Sequence, residues 1–287
     1  MKPGITWLAS YPKSGNTWFR VFLTNYLRNG KEPASINELE KTPIASAREP
    51  FDEVLGIEAA DLTAEEIDRL RPEWYRHLAE NAGDRLFMKV HDAYTDLPDG
   101  RPLFPAAATH GVVYFIRNPL DVAVSFAHHS GWDNASSIEH LAEEGFAFCG
   151  KADRLHNQLR QRLLSWSAHV LSWVDRAPFP VCVLRYEDMK ARPEATFARA
   201  VRFAKLEFAP GRLEKALAFS TFETVRTQED EVGFEEKSPS ADHFFRKGRV
   251  GSWREELTGT DVRRLIADHR QVMSRFGYLD DRDRPIY

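Results

Sequence analysis

Four stretches of this chain carry side chains that could do chemistry. The first is Ser10-Tyr11-Pro12-Lys13-Ser14-Gly15-Asn16-Thr17-Trp18, between a short apolar run at residues 5–9 and a segment with helical apolar spacing. Backbone N–H groups at a strand-to-helix turn, reinforced by the helix dipole, make an anion site. Lys13 adds a full charge, and Ser14 and Thr17 add hydroxyl donors. The order is not that of the nucleotide-triphosphatase loop, in which glycine precedes Lys-Ser/Thr; here Lys13 precedes Gly15. Taken alone, a Gly-Asn turn before a helix reads as an ordinary connection more readily than as a phosphate site. The second stretch is Lys89-Val90-His91, which ends the apolar run 86–90. An imidazole titrates near neutral pH and can take a proton from an attacking hydroxyl. Taken alone, a histidine at a strand end reads as structural more readily than as catalytic; Lys89 shares a strand face with His91.

The third stretch is residues 116–125. Arg117 can grip a phosphate through parallel N–H bonds and Ser125 can donate one more. The bland alternative pairs Arg117 with Asp121 and turns Ser125 inward. The fourth is Phe245-Arg246-Lys247-Gly248-Arg249-Val250-Gly251-Ser252-Trp253, either a solvated basic turn or a loop whose glycines allow close backbone approach to a ligand. His128 and His129 are adjacent, so they point apart, and no Cys/His set with zinc spacing accompanies them. They read as lining an acceptor pocket or facing solvent, and no metal site is expected.

The elements that must position these residues follow from hydrophobic periodicity. Apolar residues at Trp18, Phe19, Phe22, Leu23, Tyr26 and Leu27 mark a helix with one buried face. Residues 5–9, 86–90, 112–116 and 181–184 read as short buried strands. A helix is expected to begin at Asp121 after the Asn118-Pro119 turn, another spans 63–80, and Trp166, His169 and Trp173 read as packing on a helix. Short strands alternating with longer amphipathic segments predict an α/β fold with a central, mainly parallel sheet flanked by helices. Ligands of such sheets bind at the carboxyl ends of the strands, where the chemistry-bearing stretches begin. Segment 131–155 reads as a mobile cover and 224–242 as a charged surface loop. With no repeat or long linker, 1–287 is expected to be one domain.

Three of these stretches share a resemblance. Tyr11-Pro12-Lys13-Ser14-Gly15-Asn16-Thr17-Trp18 resembles the 5′-phosphosulfate loop of the cytosolic-type sulfotransferases that use 3′-phosphoadenosine 5′-phosphosulfate (PAPS), with Asn16 where the family usually has Thr. Residues 116–125 resemble the family's 3′-phosphate motif, and 245–253 its C-terminal Arg-Lys-Gly-x-x-Gly-x-Trp loop. Lys89-Val90-His91 stands in place of the family's Lys-Thr-His. The resemblance implies a P-loop-kinase-like sulfotransferase fold and an in-line transfer of the sulfuryl group to an acceptor hydroxyl, leaving 3′,5′-adenosine bisphosphate. It implies His91 as general base, with Asp92 as the alternative because some relatives use a carboxylate, Lys13 at the bridging oxygen and Lys89 beside the transferring group. Arg117, Ser125, Arg246, Lys247 and Gly248 would hold the 3′-phosphate. Trp18 would stack on the adenine or pack in the core, Tyr186 would reach the adenine edge, and Ser220 and Phe222 match a nucleoside-contacting Thr-Ser-Phe segment with the hydroxyl residues exchanged.

Composition sets the outer limits. Hydrophobic residues at 43% and charged residues at 29% over 287 residues suit a globular chain with a full core. A net charge of -4 argues against broad binding to nucleic acid or an anionic membrane. The two cysteines, Cys149 and Cys182, make no disulfide framework and suit a reducing compartment. The start, Met1-Lys2-Pro3-Gly4, lacks a signal peptide's apolar stretch, so a cytoplasmic protein is expected. The expected partner is a small hydroxyl-bearing acceptor (phenol, alcohol, sugar or natural product), and monomer and homodimer both stay open. The rivals are a kinase-like phosphotransferase, which needs magnesium and the Gly-Lys-Ser/Thr order, and a nucleotide-binding module without a working base.

Overall fold

The computed structural model describes residues 4–39, 42–83, 85–150 and 155–287. The expectation built on residues 1–3, and residues 151–154 of the expected cover, lie outside the described residues. In chain order the elements are β1 (Ile5–Ser10), α1 (Asn16–Arg28), α2 (Arg48–Leu55), α3 (Ala64–Asn81), β2 (Leu86–Val90), β3 (Thr109–Ile116), α4 (Pro119–Ser130), α5 (Asn134–Ala142), β4 (Ala147–Phe148), β5 (Gln161–Arg162), α6 (Trp166–Leu171), β6 (Val181–Arg185), α7 (Tyr186–Ala191), α8 (Pro193–Phe203), α9 (Pro210–Ala218), α10 (Phe222–Val232) and α11 (Gly259–Arg275).

The chain divides into two compact units. One comprises Met1–Tyr11, Thr42–Tyr114 and Glu144–Val183; the other comprises Pro12–Lys41, Phe115–Glu143 and Leu184–Tyr287. The main sheet has the strand order β2-β1-β3-β6, an α/β arrangement with crossover connections. β1 and β2 run parallel, with Leu8 opposite Lys89 and Ala9 opposite Val90. Every residue of β1 is buried, as expected of a parallel strand covered on both faces.

In the first unit Trp7 anchors the core, its ring edge-on to Tyr75 at 4.9 Å and to Phe104 at 5.0 Å. In the second, Phe22 packs edge-on to Phe197 at 4.6 Å and Phe19 lies 5.0 Å from Phe115. These are the side chains that the apolar series of α1 points inward. A second cluster, built from Val21, Ile36, Leu39, Val225, Phe234 and Phe245, closes the other side of that helix.

Two sequence expectations are corrected. Segment 224–242 is not all surface loop: α10 runs to Val232, with Thr221 capping it by accepting from the Thr224 N–H. Its charged composition hides an inner face on which Val225 and Glu229 are buried; Glu229 accepts the backbone N–H groups of Phe244 and Phe245 at 2.6 and 2.9 Å. Helix α4 begins at Pro119 rather than Asp121, because Asn118 is the cap and accepts from the Leu120 N–H. Proline at the first helical position lacks only a donor that would have no helical partner.

Candidate functional site

The loop after β1 has two residues in the left-handed region, Lys13 at φ 67° and Gly15 at φ 99°. That double reversal turns the chain from strand into α1. No side chain caps α1 and its first turn carries no acid, so the positive end of the helix faces the loop without a built-in anion. A Cβ on Gly15 would lie 2.8 Å from Cδ2 of Tyr186, so only glycine fits against that ring. Ser14 is buried, and its Oγ has no hydrogen-bond partner among the described residues. A buried hydroxyl left unpaired costs about 1–3 kcal/mol, a cost that an anion's oxygen would offset.

Arg117, directly after β3, is buried against this loop. Its guanidinium donates to the Lys13 carbonyl and to the Arg249 carbonyl, each at 3.1 Å. It lies 4.3 Å over the Tyr186 ring and 3.7 Å from the Asp121 carboxylate. Its Nε is buried without a hydrogen-bond partner among the described residues. The two sequence readings of Arg117 are therefore compatible: it sits near Asp121 and keeps a buried donor in reserve. Trp18 packs edge-on to Tyr186 and Phe197 and donates from Nε1 to the Ser220 carbonyl at 2.7 Å. Ser220 is fully buried and its hydroxyl donates to the Ala216 carbonyl at 2.8 Å, so its place is set by α9. Ser125 lies half-buried on α4.

The basic C-terminal loop meets the same surface. Gly248, at φ 58°, lies so close to Phe222 that a Cβ there would approach its Cδ2 to 2.2 Å. Phe244 sits beneath the Lys13 ammonium, 3.9 Å from Nζ to the ring centre. Arg246 pairs with Glu256 at 2.8 Å, and Lys247 reaches Glu255 at 2.8 Å and Glu256 at 2.7 Å. Burial would raise the Glu256 pKa, but hydrogen bonds from Lys247, Arg246 and His128 outweigh it and hold the carboxyl at about 2. The second histidine of the pair, His129, packs edge-on to Phe244.

Asp121 is the residue whose importance the sequence did not convey. Buried at the start of α4, it accepts from the Gly251 N–H at 2.8 Å, the Ser252 hydroxyl at 3.1 Å and the Trp253 N–H at 3.1 Å. One carboxylate thus fastens the end of the basic loop to the helix that follows Arg117. Glu187 plays a similar part beneath Tyr186, accepting from the Asn118 N–H at 3.0 Å and the Tyr278 hydroxyl at 3.1 Å.

His91 and its neighbours belong to the first unit. The His91 Nδ1 lies 2.8 Å from the Ser10 carbonyl oxygen and 3.3 Å from its hydroxyl. A carbonyl only accepts, so Nδ1 carries a hydrogen; in the neutral ring the lone pair is then on Nε2. Asp92 is fully buried and held by the Arg71 guanidinium at 3.0 and 2.7 Å, with the Arg162 N–H donating to it as well. Despite the penalty of burial, the carboxylates around Arg71, Asp92 first, push its pKa well above the usual value. Asp92 is thereby tied up in a buried pair with Arg71. Lys89 is buried at the strand end, its backbone bonded to Pro43 and Ala45.

The first unit also holds a cavity of ≈ 870 Å³ walled by Ile44, Ala47, Arg48, Asp52, Asn157 and Gln158, among others. Among the described residues no group of three or more His, Cys, Asp or Glu could hold a metal ion, and no helix is long and apolar enough to cross a membrane.

Against known proteins, the sulfotransferase-domain family model matches residues 3–277. The chain belongs to the sulfotransferase family. This sulfotransferase is 26% identical to cytosolic sulfotransferase 17 of Arabidopsis thaliana, over 98% of the chain and 78% of that protein. It is 26% identical to sulfotransferase 1B1 of Canis lupus familiaris, over 93% of the chain and 82% of that protein. Among solved structures it is similar to retinol dehydratase in complex with androsterone and inactive cofactor PAP (TM-score 0.60, 18% identity, 95% of this chain and 81% of that one). Mouse sulfotransferase SULT7A1 complexed with PAP matches at TM-score 0.60 and 18% identity, over 94% and 85% of the two chains. The α/β sulfotransferase fold expected from the sequence is thus the observed one.

Proposed function

We propose that this sulfotransferase uses PAPS as donor and moves its sulfuryl group to the hydroxyl of a small acceptor, with His91 as general base. The buried, partnerless Ser14 hydroxyl at the uncapped start of α1 is the observation that carries the donor reading. It suits a phosphate oxygen, and the buried Nε of Arg117 suits another. Both solved relatives named above were crystallised with PAP, which supports the same donor here.

In this reading the loop N–H groups, Ser14 and Thr17 hold the 5′-phosphosulfate, and Arg117, Ser125, Arg246, Lys247 and the Gly248 backbone hold the 3′-phosphate. Trp18, Tyr186 and Phe222 pack about the nucleoside. When bound, the donor would supply a sulfuryl group: the bond from sulfur to the bridging oxygen breaks as the acceptor oxygen attacks, and that oxygen leaves with 3′,5′-adenosine bisphosphate. The Nε2 of His91 takes the acceptor's proton, a contribution of about a hundred- to ten-thousand-fold. Lys13 stabilises charge growing on the bridging oxygen, the preorganised electrostatics that dominate such transfers, and Lys89 steadies the transferring group. Asp92 keeps the strand end in place through Arg71 rather than moving a proton.

The test is release of 3′,5′-adenosine bisphosphate from PAPS in the presence of simple phenols and alcohols, without magnesium. Acceptor-dependent release supports the reading. A protein that binds the bisphosphate yet releases none from PAPS with any acceptor would be a binding module, and one that consumes magnesium-ATP instead would be a phosphotransferase.

A further inference from the structure

We propose that His169 is a positioning residue for His91, holding its main-chain carbonyl through a hydrogen bond from Nε2 while the Tyr114 hydroxyl satisfies Nδ1. The inference rests on the reading of His91 as the base. His169 is fully buried on α6. Its Nε2 lies 3.0 Å from the His91 carbonyl oxygen, and its Nδ1 lies 2.8 Å from the Tyr114 hydroxyl. The carbonyl can only accept, so the ring hydrogen is on Nε2, Nδ1 is an acceptor, and Tyr114 must donate to it. The chain runs one way, from Tyr114 through His169 to His91. Burial lowers the pKa of His169 to about 3, so the ring stays neutral and the direction does not reverse near neutral pH.

The same helical segment holds the next residues too. The Ser172 hydroxyl accepts from the Tyr94 N–H at 3.0 Å and donates to the His169 carbonyl at 2.7 Å. The indole of Trp173, in the π-helical turn Ser172–Arg176 that continues α6, donates to the Asp92 carbonyl at 2.9 Å. Residues 91, 92 and 94 are therefore fixed by side chains three and four positions apart on one helix face. Arg71 holds the Asp92 carboxylate. An apolar side chain would fill the space of His169 without the cost of burying an imidazole; what histidine adds is the directed bond. Through it the His91 backbone is fixed, its Nδ1–H is aimed at Ser10, and the basic nitrogen is set for proton transfer.

The test combines ring-nitrogen NMR of isotope-labelled histidine with kinetics, on wild type, His169→Gln, His169→Phe and Tyr114→Phe, with His91→Ala for assignment. PAPS and 4-nitrophenol are the kinetic probes, and 3′,5′-adenosine bisphosphate the binding probe. The wild type is expected to show His91 as the Nδ1–H form. His169→Phe and Tyr114→Phe should lose that dominance and lower kcat about ten- to a hundredfold, the cost of a small misplacement, with bisphosphate affinity unchanged. The amide of His169→Gln can donate to the same carbonyl and should recover most of both signals. Should His169→Phe fail to fold, the other two variants decide. An unchanged His91 tautomer in Tyr114→Phe, equal impairment of the Gln and Phe variants, or bisphosphate affinity falling in step with kcat would reduce His169 to a packing residue. Wild-type turnover by His91→Ala would instead overturn the base reading, while the tautomer response still judged the hydrogen-bonded chain.

Discussion

The Nδ1 of His91 lies 2.8 Å from the carbonyl oxygen of Ser10, the last residue of β1. Through it the strand that leads into the Lys13 loop also fixes which nitrogen of the imidazole carries the hydrogen. His91→Ala should lower kcat about a hundred- to ten-thousand-fold with bisphosphate affinity retained. Steady-state rates beside a binding titration check this; equal losses in both would place His91 in the donor site instead.

Asp92→Asn separates the two candidate bases. It leaves the Arg71 charge buried without its main partner, a change that typically costs about 3–5 kcal/mol. The expected outcome is a melting temperature lower by about 10 °C and a nearly unchanged kcat for the folded enzyme. A collapse of kcat at constant melting temperature would make Asp92 the base.

Gly248→Ala tests the close approach of the basic loop to Phe222. The new Cβ would meet the ring at 2.2 Å from a backbone at φ 58°, so the loop must move. Bisphosphate affinity should fall about tenfold or more, equivalent to about 1.4 kcal/mol, in a titration against wild type. Unaltered affinity would remove this loop from the donor site.

The neutral, buried His169 also sets an acid limit. Burial lowers its folded pKa from the usual 6.5 to about 3, so the unfolded chain takes up the proton first as pH falls. The stability it confers is complete above pH 6.5 and is lost progressively from there toward pH 3. Melting curves across that range should show His169→Gln losing less stability than wild type. Parallel curves would contradict a neutral buried imidazole.

Much of this was legible in sequence. The strand at 86–90 is the observed β2, because an apolar run bounded by polar residues has few alternatives. The loop around Lys13 was readable because Gly15 and the helical spacing after it admit one turn. Asp121 reads as a cap in sequence because its partners lie some 130 residues away in the chain. Helix α10 reads as a loop in sequence because its buried Glu229 looks there like any exposed acid. His169 was read as packing, since nothing local tells a buried imidazole that directs a hydrogen bond from one that fills space.

The most direct measurement is calorimetric titration of wild-type and Arg117→Ala protein with 3′,5′-adenosine bisphosphate, and separately with ATP and magnesium. The account predicts magnesium-independent bisphosphate binding, weakened about ten- to a hundredfold in Arg117→Ala by the loss of charge-assisted hydrogen bonds. No bisphosphate binding, or a preference for magnesium-ATP, would contradict it.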